Sequence, residues 1–361
     1  MEQISRGGRE QTLQSLPSLL LPWYDKNKRD LPWRENTDPY RVWVSEIMLQ
    51  QTRVEAAKEH YVRFLAALPT VRDLAACPED KLFKLWEGLG YYSRARNLQR
   101  AAKIVAERGF PKSAEEWKKL PGVGDYTAGA VASIAFEQPS PAVDGNVIRV
   151  LSRVLEDGRP PETLKTAFAA ELAPAYPPLR RGDFTQSLME LGATVCLPAA
   201  PLCLACPLLS LCKTKSDALP AKKTKAERRK TDAALFLFYG RNGVALCRRR
   251  EGVLKGMYGF FMAETALDQE EVRRFLTAAG LQEFELGEPR AHKHVFSHIE
   301  WNMTAYPVRT EENAALLQIP EGFLPAGTYC TAFSELEYFA KEKIEREISL
   351  PSAFRWCLQM L

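Results

Sequence analysis

Four cysteines fall within a short stretch, spaced Cys196-x6-Cys203-x2-Cys206-x5-Cys212, with Pro198, Pro201 and Pro207 turning the chain between them. Four thiolates in so short a loop can close around one tetrahedral metal ion or a [4Fe–4S] cluster, and spacing alone does not divide zinc from iron–sulfur. Upstream, Glu46 lies in Val44-Ser45-Glu46-Ile47-Met48-Leu49 and, on a helix, shares a face with Val42 and Leu49. A carboxyl on an apolar stripe is desolvated and its neutral form favoured, which is what general-acid catalysis near neutral pH requires. A Glu at the stripe's edge that reaches water has no such property. Asp144, in Ala142-Val143-Asp144-Gly145-Asn146-Val147, stands where a helix N-cap belongs, and capping alone accounts for it and for Asn146. Beside Glu46 it takes on another meaning, because glycoside cleavage uses one carboxyl held neutral and another held charged.

Pro121-Gly122-Val123-Gly124 lies between two helical patterns. Its glycines make a tight hairpin whose amides can face outward toward a phosphate, with a helix start behind them that favours negative charge. An ordinary helix–helix turn uses the same residues. His292, His294 and His298 are spaced to share one face of a strand, which suits a weak metal site or a partly exposed sheet face. Cys77, Cys247, Cys330 and Cys357 are isolated and read as buried or inert thiols.

These groups need elements to hold them. Up to about residue 212 the pattern is helical nearly throughout. Asp38-Pro39 reads as an N-cap with proline in the first turn, and Val42, Leu49, Val54, Ala57, Tyr61, Phe64 and Leu68 recur at helical spacing until Pro69. Ser113 and Glu116 form a capping box ahead of a short helix ending at Leu120, and further helices are expected over residues 126–136 and 145–155. Past residue 231 the texture changes. Residues 233–239 are apolar and aromatic, Arg241-Asn242-Gly243 supplies a hairpin turn before Val244-Ala245-Leu246, and residues 294–308 also read as extended, with one helix at 270–279.

At 361 residues the chain can bury two or three cores, and its 46% apolar and 26% charged residues are ordinary globular composition. The net charge of +4 does not by itself point to a polyanion. Residues 213–231, however, carry eight Lys/Arg against Asp217 and Glu227, a net of +6, so the rest of the chain sums to −2. Such a stretch serves as a solvated linker or lies along phosphates. No apolar run approaches the roughly 20 residues that span a bilayer. The leucine-rich residues 16–21 contain Pro17 and lack a signal-peptide cleavage pattern, so a cytoplasmic, non-membrane protein is expected.

Taken together, Leu120-Pro121-Gly122-Val123-Gly124-Asp125-Tyr126-Thr127-Ala128-Gly129-Ala130 and Val143-Asp144-Gly145-Asn146 resemble the helix-hairpin-helix and catalytic aspartate of the endonuclease III superfamily of DNA glycosylases. Asp30-Leu31-Pro32-Trp33-Arg34, Ser45-Glu46-Ile47-Met48-Leu49-Gln50-Gln51-Thr52 and Gly88-Leu89-Gly90-Tyr91-Tyr92-Ser93-Arg94 are similar to its MutY branch of adenine glycosylases. The resemblance implies a multidomain fold. An all-α glycosylase region would cover residues 1–212, with a six-helix module at about 31–137 and an iron–sulfur module from 1–30 plus 138–212. A basic linker would follow at 213–231, then an α+β, Nudix-like lesion-recognition domain at 232–361. It also implies a [4Fe–4S] cluster on Cys196, Cys203, Cys206 and Cys212.

The resemblance assigns roles as well. Glu46 protonates adenine, Asp144 stabilises the sugar cation, and Tyr126 and Asn146 orient the aspartate and the water. Arg34, Leu49, Gln51, Tyr91, Gly122 and Gly124 contact DNA or the flipped base. Phe296-Ser297-His298 is similar to the recognition loop for 8-oxoguanine and carries over Ser297 and His298. Bifunctional members carry a lysine where Tyr126 stands; a Schiff base needs that amine, so no strong lyase step is expected. Thymine-mismatch glycosylases can share the tyrosine, so Tyr126 does not select adenine. Residues 259–281 supply Glu270, Glu271 and Arg273, but not as a Nudix metal box, so the last domain reads as a recognition module rather than a hydrolase. The expected partner is double-stranded DNA with adenine opposite 8-oxoguanine or guanine, bound by a monomer. The runners-up are a thymine or uracil mismatch glycosylase and a non-catalytic iron–sulfur DNA-binding protein.

Overall fold

Helical periodicity in the first half of the chain becomes α1 (Glu2–Asn27), α2 (Pro39–Leu49), α3 (Val54–Ala67), α4 (Val71–Ala76), α5 (Glu79–Trp86), α6 (Ser93–Arg108), α7 (Ala114–Trp117), α8 (Asp125–Phe136), α9 (Gly145–Leu155), α10 (Pro161–Leu172) and α11 (Arg181–Thr194). These bounds come from a computed structural model that describes residues 2–221 and 227–361. Two compact units result, Met1–Cys77 with Ser93–Thr224, and Pro78–Tyr92 with Lys225–Leu361. The six-helix module expected at 31–137 crosses this division, because Pro78–Tyr92 groups with the second unit.

In the first unit, α9 presents Val147, Val150, Leu151 and Val154 to Leu13, Leu16 and Leu20 of α1, Leu164 and Phe168 of α10, and Phe184, Leu188 and Leu191 of α11. Burying four such aliphatic side chains on one face contributes on the order of 6–10 kcal/mol toward holding α9 in place. That matters because α9 begins at the candidate site. The expected caps form: Asp38 Oδ1 accepts from the Arg41 amide at 3.0 Å, and Ser113 Oγ from the Glu116 amide at 3.3 Å.

The helical spacing read through to Pro69 proves to be two helices. Gln51 takes a φ of +57°, and the Arg94 guanidinium takes the terminal carbonyls of α2, Ile47 O at 2.8 Å and Met48 O at 3.1 Å. A fixed cation on the orphan carbonyls ends α2 where the apolar pattern alone would let it continue. Among the described residues, no helix is long and apolar enough to cross a membrane.

The second unit contains a mixed sheet built from β1 (Arg229–Gly240), β2 (Gly243–Arg248), β3 (Tyr258–Gly259), β4 (Phe261–Ala263), β5 (Glu285–Leu286), β6 (Arg290–Val295), β7 (Ile299–Arg309) and β8 (Glu337–Phe339), with helices α12 (Gln269–Ala278), α13 (Lys341–Arg346) and α14 (Ser352–Arg355). Its main path runs β3-β2-β1-β7-β5. β1 and β7 pair in parallel from Arg229↔Ile299 to Tyr239↔Arg309. Ala233, Leu235 and Leu237 face one core with Ile344 and Phe354, while Ala234, Phe236 and Phe238 face another with Phe275 of α12. A strand buried on both sides must be apolar without alternation, which is why 233–239 reads as one apolar run. The basic stretch expected at 213–231 is shorter than a linker of that span, since Arg229 and Lys230 already belong to β1; Lys222, Lys223 and Lys225 lie outside the described residues.

Candidate active site

A cleft of about 570 Å³ opens in the first unit where α2, α9, α11 and the start of α8 meet the segment around Arg29 and Arg34. Glu46 enters it from α2 with only 5% of its surface exposed. Burial pushes its carboxyl up to about 7; the nearby Asp144 charge adds to this, while the Tyr126 hydroxyl and Arg34 pull against it. The Tyr126 hydroxyl donates to Glu46 Oε2 at 2.6 Å. Burial, with Glu46 and Asp144 close by, raises that hydroxyl's pKa well above its ordinary value, so it remains a donor.

Asp144 does cap α9, its Oδ1 accepting from the Val147 amide at 2.8 Å, and it also faces the cleft. Its Oδ2 accepts from Asn146 Nδ2 at 2.9 Å. Burial raises the Asp144 pKa, and the Val147 and Asn146 hydrogen bonds together with Arg149 draw it back. Asn146 Oδ1 in turn accepts from Arg149 Nη2 at 2.8 Å, while Arg149 also reaches the carbonyls of Cys196 and Gly192, both at 2.7 Å. α11 can approach this closely because residue 192 is glycine; a Cβ there would stand 2.5 Å from Asn146 Cβ.

The expectation that Tyr126 and Asn146 orient the aspartate and the water meets a different contact for Tyr126, whose hydroxyl goes to Glu46 because the first turn of α8 packs against α2. In the hairpin the Val123 amide donates to Leu120 O at 3.2 Å and is used within the turn. Gly122 has a φ of +75°, and a Cβ there would lie 2.6 Å from Asn97 Cβ, so glycine is required by strain and by space. Gly124 is the N-cap of α8 and lines the cleft, as do Arg34, Leu49 and Gln51.

Sequence reasoning missed Glu190, Arg29, Gln186 and Lys165, which also line the cleft. Glu190 is fully buried and accepts from the Arg29 amide at 2.9 Å, Arg29 Nε at 2.8 Å and Arg34 Nη2 at 2.8 Å. Burial alone would raise its pKa, yet the Arg29 and Arg34 donors hold it at about 2. Its helix offered the same signal as Glu46, an acid among Leu188 and Leu191, but the arginines that neutralise it lie far away in sequence.

The four cysteines line one cavity with Val150, Val154, Leu191, Val195 and Leu208. Arg153, 2% exposed, donates to Cys196 Sγ at 3.4 Å and to Leu197 O at 2.7 Å, placing a buried cation beside the thiols. Among the described residues, no three Cys, His, Asp or Glu side chains gather closely enough to hold a single metal ion.

In the second unit, Phe296-Ser297-His298 forms the turn between β6 and β7, closed by the Phe296 amide on Ile299 O at 2.8 Å, with Ser297 and His298 exposed. The one-face reading of the histidines does not survive this turn. His292 lies on β6 stacked on Trp356, His294 sits edge-on to Phe296, and His298 is off the strand. Tyr91, also in this unit, is 46% exposed with a φ of +47°.

Residues 44–174 match the model of the HhH-GPD superfamily of base excision DNA repair proteins. Adenine DNA glycosylase of Buchnera aphidicola subsp. Baizongia pistaciae is 33% identical over 293 residues, covering 78% of this chain and 82% of that one. The chain belongs to the adenine DNA glycosylase family. The adenine DNA glycosylases of Mus musculus and Homo sapiens are 51% and 50% identical over 210 residues each, 54% of this chain in both cases. The chain spans 41% and 38% of the length of those two relatives. A thermostable thymine-DNA glycosylase structure superposes with a TM-score of 0.52 at 28% identity, over 57% of this chain and 97% of that one.

The superfamily match takes in Glu46, Leu49, Gln51, Tyr91, Gly122, Gly124, Tyr126, Asp144 and Asn146; Arg34, Cys196, Cys203, Cys206, Cys212, Ser297 and His298 lie outside it. The matched span thus holds Glu46, Asp144 and the hairpin, while the third cleft carboxyl, Glu190, lies beyond it.

Proposed function

We propose that the protein excises adenine from mispaired double-stranded DNA as a monofunctional glycosylase, leaving an abasic site. The observation that carries this is Glu46, a buried carboxyl poised at about 7, hydrogen-bonded by Tyr126 and sharing its cleft with Asp144. A base turned out of the duplex into the cleft receives the Glu46 proton at adenine N7. The C1′–N9 bond then breaks with its electron pair passing to the neutral base. Asp144, whose oxygens accept from the Val147 amide and Asn146 Nδ2, acts as the carboxylate that stabilises the cationic sugar. Water adds at C1′ and gives its proton to Asp144, which Asn146 orients. The cleft's lysine is Lys165, on α10 rather than at the hairpin, and position 126 offers a phenol instead of an amine, which supports hydrolysis without a Schiff-base step.

The cysteine cavity suits a [4Fe–4S] cluster held by Cys196, Cys203, Cys206 and Cys212. Four thiolates can each take one iron of such a cluster, and the buried Arg153 beside Cys196 offsets the negative charge. When bound, the cluster would supply a covalent tie for the loop. The exposed Ser297 and His298 are assigned to reading 8-oxoguanine in a Nudix-like domain. Leu49, Gln51 and Tyr91 are assigned to the base stack and Gly122 and Gly124 to phosphates, with the protein acting as a cytoplasmic monomer.

Single-turnover reaction with a duplex carrying adenine opposite 8-oxoguanine tests the activity. Strand breaks that appear only after alkali are expected. Breaks without alkali would contradict monofunctional chemistry; intact adenine, with thymine released from a G–T duplex instead, would favour the thymine glycosylase that the fold also resembles.

A further inference from the structure

The turn that carries Tyr91 is held from the far end of the chain. α5 ends at Trp86 with Glu87 as its C-cap, after which Gly88, Gly90 and Tyr91 take φ values of +99°, +68° and +47°. A bulky residue in the left-handed region persists only where its surroundings impose it. Here they come from the stretch between Glu345 and Arg355. Lys84 Nζ donates to Glu345 O at 2.7 Å and Ile348 O at 3.0 Å. Glu87, its side chain 8% exposed, accepts from the Leu350 amide at 2.9 Å and pairs with Lys84 at 3.1 Å and with Arg355. On the other flank the buried Tyr92 hydroxyl accepts from Ser349 Oγ at 3.3 Å. Within the turn, Trp86 Nε1 donates to Gly90 O at 3.1 Å. Both residues that bracket the turn, Glu87 and Tyr92, are thus tied to the same C-terminal stretch, while Tyr91 itself stands out 46% exposed.

We propose that Glu87 is a positioning residue that, through Leu350 and Arg355, fixes the left-handed turn presenting the Tyr91 ring, and so sets how far that ring enters the stack of a bound duplex. This rests on the reading of Tyr91 as a stack-entering side chain. A buried carboxylate with three separate donors defines a rigid support, and removing it frees φ/ψ changes in the glycines beside it.

The test uses the full chain and a duplex with 2-aminopurine beside a 2′-fluoro-2′-deoxyadenosine–8-oxoguanine pair, in which the fluorine resists glycosidic cleavage. Entry of a ring into the stack raises 2-aminopurine fluorescence. At saturating protein, Tyr91→Ala should abolish the rise and Glu87→Ala should cut it by about threefold or more, with Glu87→Ala/Tyr91→Ala no worse than Tyr91→Ala alone. Should Glu87→Ala fold poorly, Arg355→Gln, on a side chain 54% exposed, should give the same direction with a melting curve near wild type. A normal rise in Tyr91→Ala, normal rises in both Glu87→Ala and Arg355→Gln, or losses that add to that of Tyr91→Ala would overturn the proposal. The readout needs no excision. A normal pattern of losses without alkali-labile product refutes the glycosylase reading alone, and normal excision with no loss in the variants refutes the support alone.

Discussion

In the proposed reaction Glu46 has to be protonated to act and buried to stay protonated, and burial carries a cost in stability. Its pKa moves from 4.5 to about 7, which amounts to at most roughly 3 kcal/mol. The folded pKa is the higher one, so this group's contribution is full below about 4.5 and declines until pH passes about 7. Glu46→Gln keeps an acceptor for Tyr126 and removes the titration. It should therefore lose excision by about a thousandfold yet unfold at higher denaturant than wild type at pH 8, by roughly 1–3 kcal/mol, with the difference vanishing at pH 4.5. Equal stability at both values would show that Glu46 titrates normally. For the wild type, the single-turnover rate should fall as pH rises through about 7. At the turn proposed to read the lesion, Ser297→Ala should reduce preference for adenine opposite 8-oxoguanine over guanine by about tenfold, with the melting temperature unchanged. Unaltered discrimination would dissociate Ser297 from the lesion.

Each group of the proposed chemistry is presented by an element whose end lies at the cleft: Glu46 late in α2, Tyr126 in the first turn of α8 and Asp144 at the cap of α9. α11 closes the site by carrying Glu190 against Arg29 and Arg34. Glu190→Gln would leave two cations facing a neutral amide, at a cost of about 2–4 kcal/mol. The Glu190 pKa is depressed to about 2, so its contribution is present above about 4.5 and lost as pH falls through 2, the opposite sign to Glu46. Urea unfolding of the variant at pH 7 and pH 3 would read this, with a smaller gap expected at pH 3. The loop of Cys196–Cys212 presents a different problem, since its helical content is one short 3-10 turn at Cys203–Ala205. Cys203→Ser should lower iron content and visible absorbance and destabilise the first unit together. Full iron content in that variant would remove Cys203 from the ligand set.

For the molecule as a whole, the chain order and the spatial grouping disagree in one place. Pro78–Tyr92 groups with residues 225 onward, through Asp80 to Arg248 at 2.8 Å as well as the Lys84 and Glu87 contacts. Ending the chain after residue 224 should leave this segment without those partners. Amide hydrogen exchange across 79–92 should then speed up by tenfold or more, about 1.4 kcal/mol of lost protection, while α9 and α11 exchange as before. Unchanged exchange over 79–92 would mean that the helix is held by its own chain neighbours.

Much of the site was legible before any coordinates because its signals are local. The cap at Asp144, the capping box at Ser113, the glycines of the hairpin and the clustered cysteines each depend on neighbours a few residues away. β1 announced its double burial by an unbroken apolar run. Glu46 could be picked out as an acid on an apolar face, but the partner of Tyr126 could not, since the packing of α8 on α2 brings residues eighty positions apart to 2.6 Å. Glu190 escaped notice for the same reason: an acid on a helix is unremarkable until Arg29 and Arg34 arrive from across the fold. The break at Gln51 needed Arg94 to cap α2, and the footing of the Tyr91 turn needed the last residues of the chain. Local sequence determined the chemistry available and the elements that carry it. Which groups meet, and therefore which carboxyl is kept neutral and which kept charged, was decided by tertiary packing, because burial and charge pairing act through space and not along the chain.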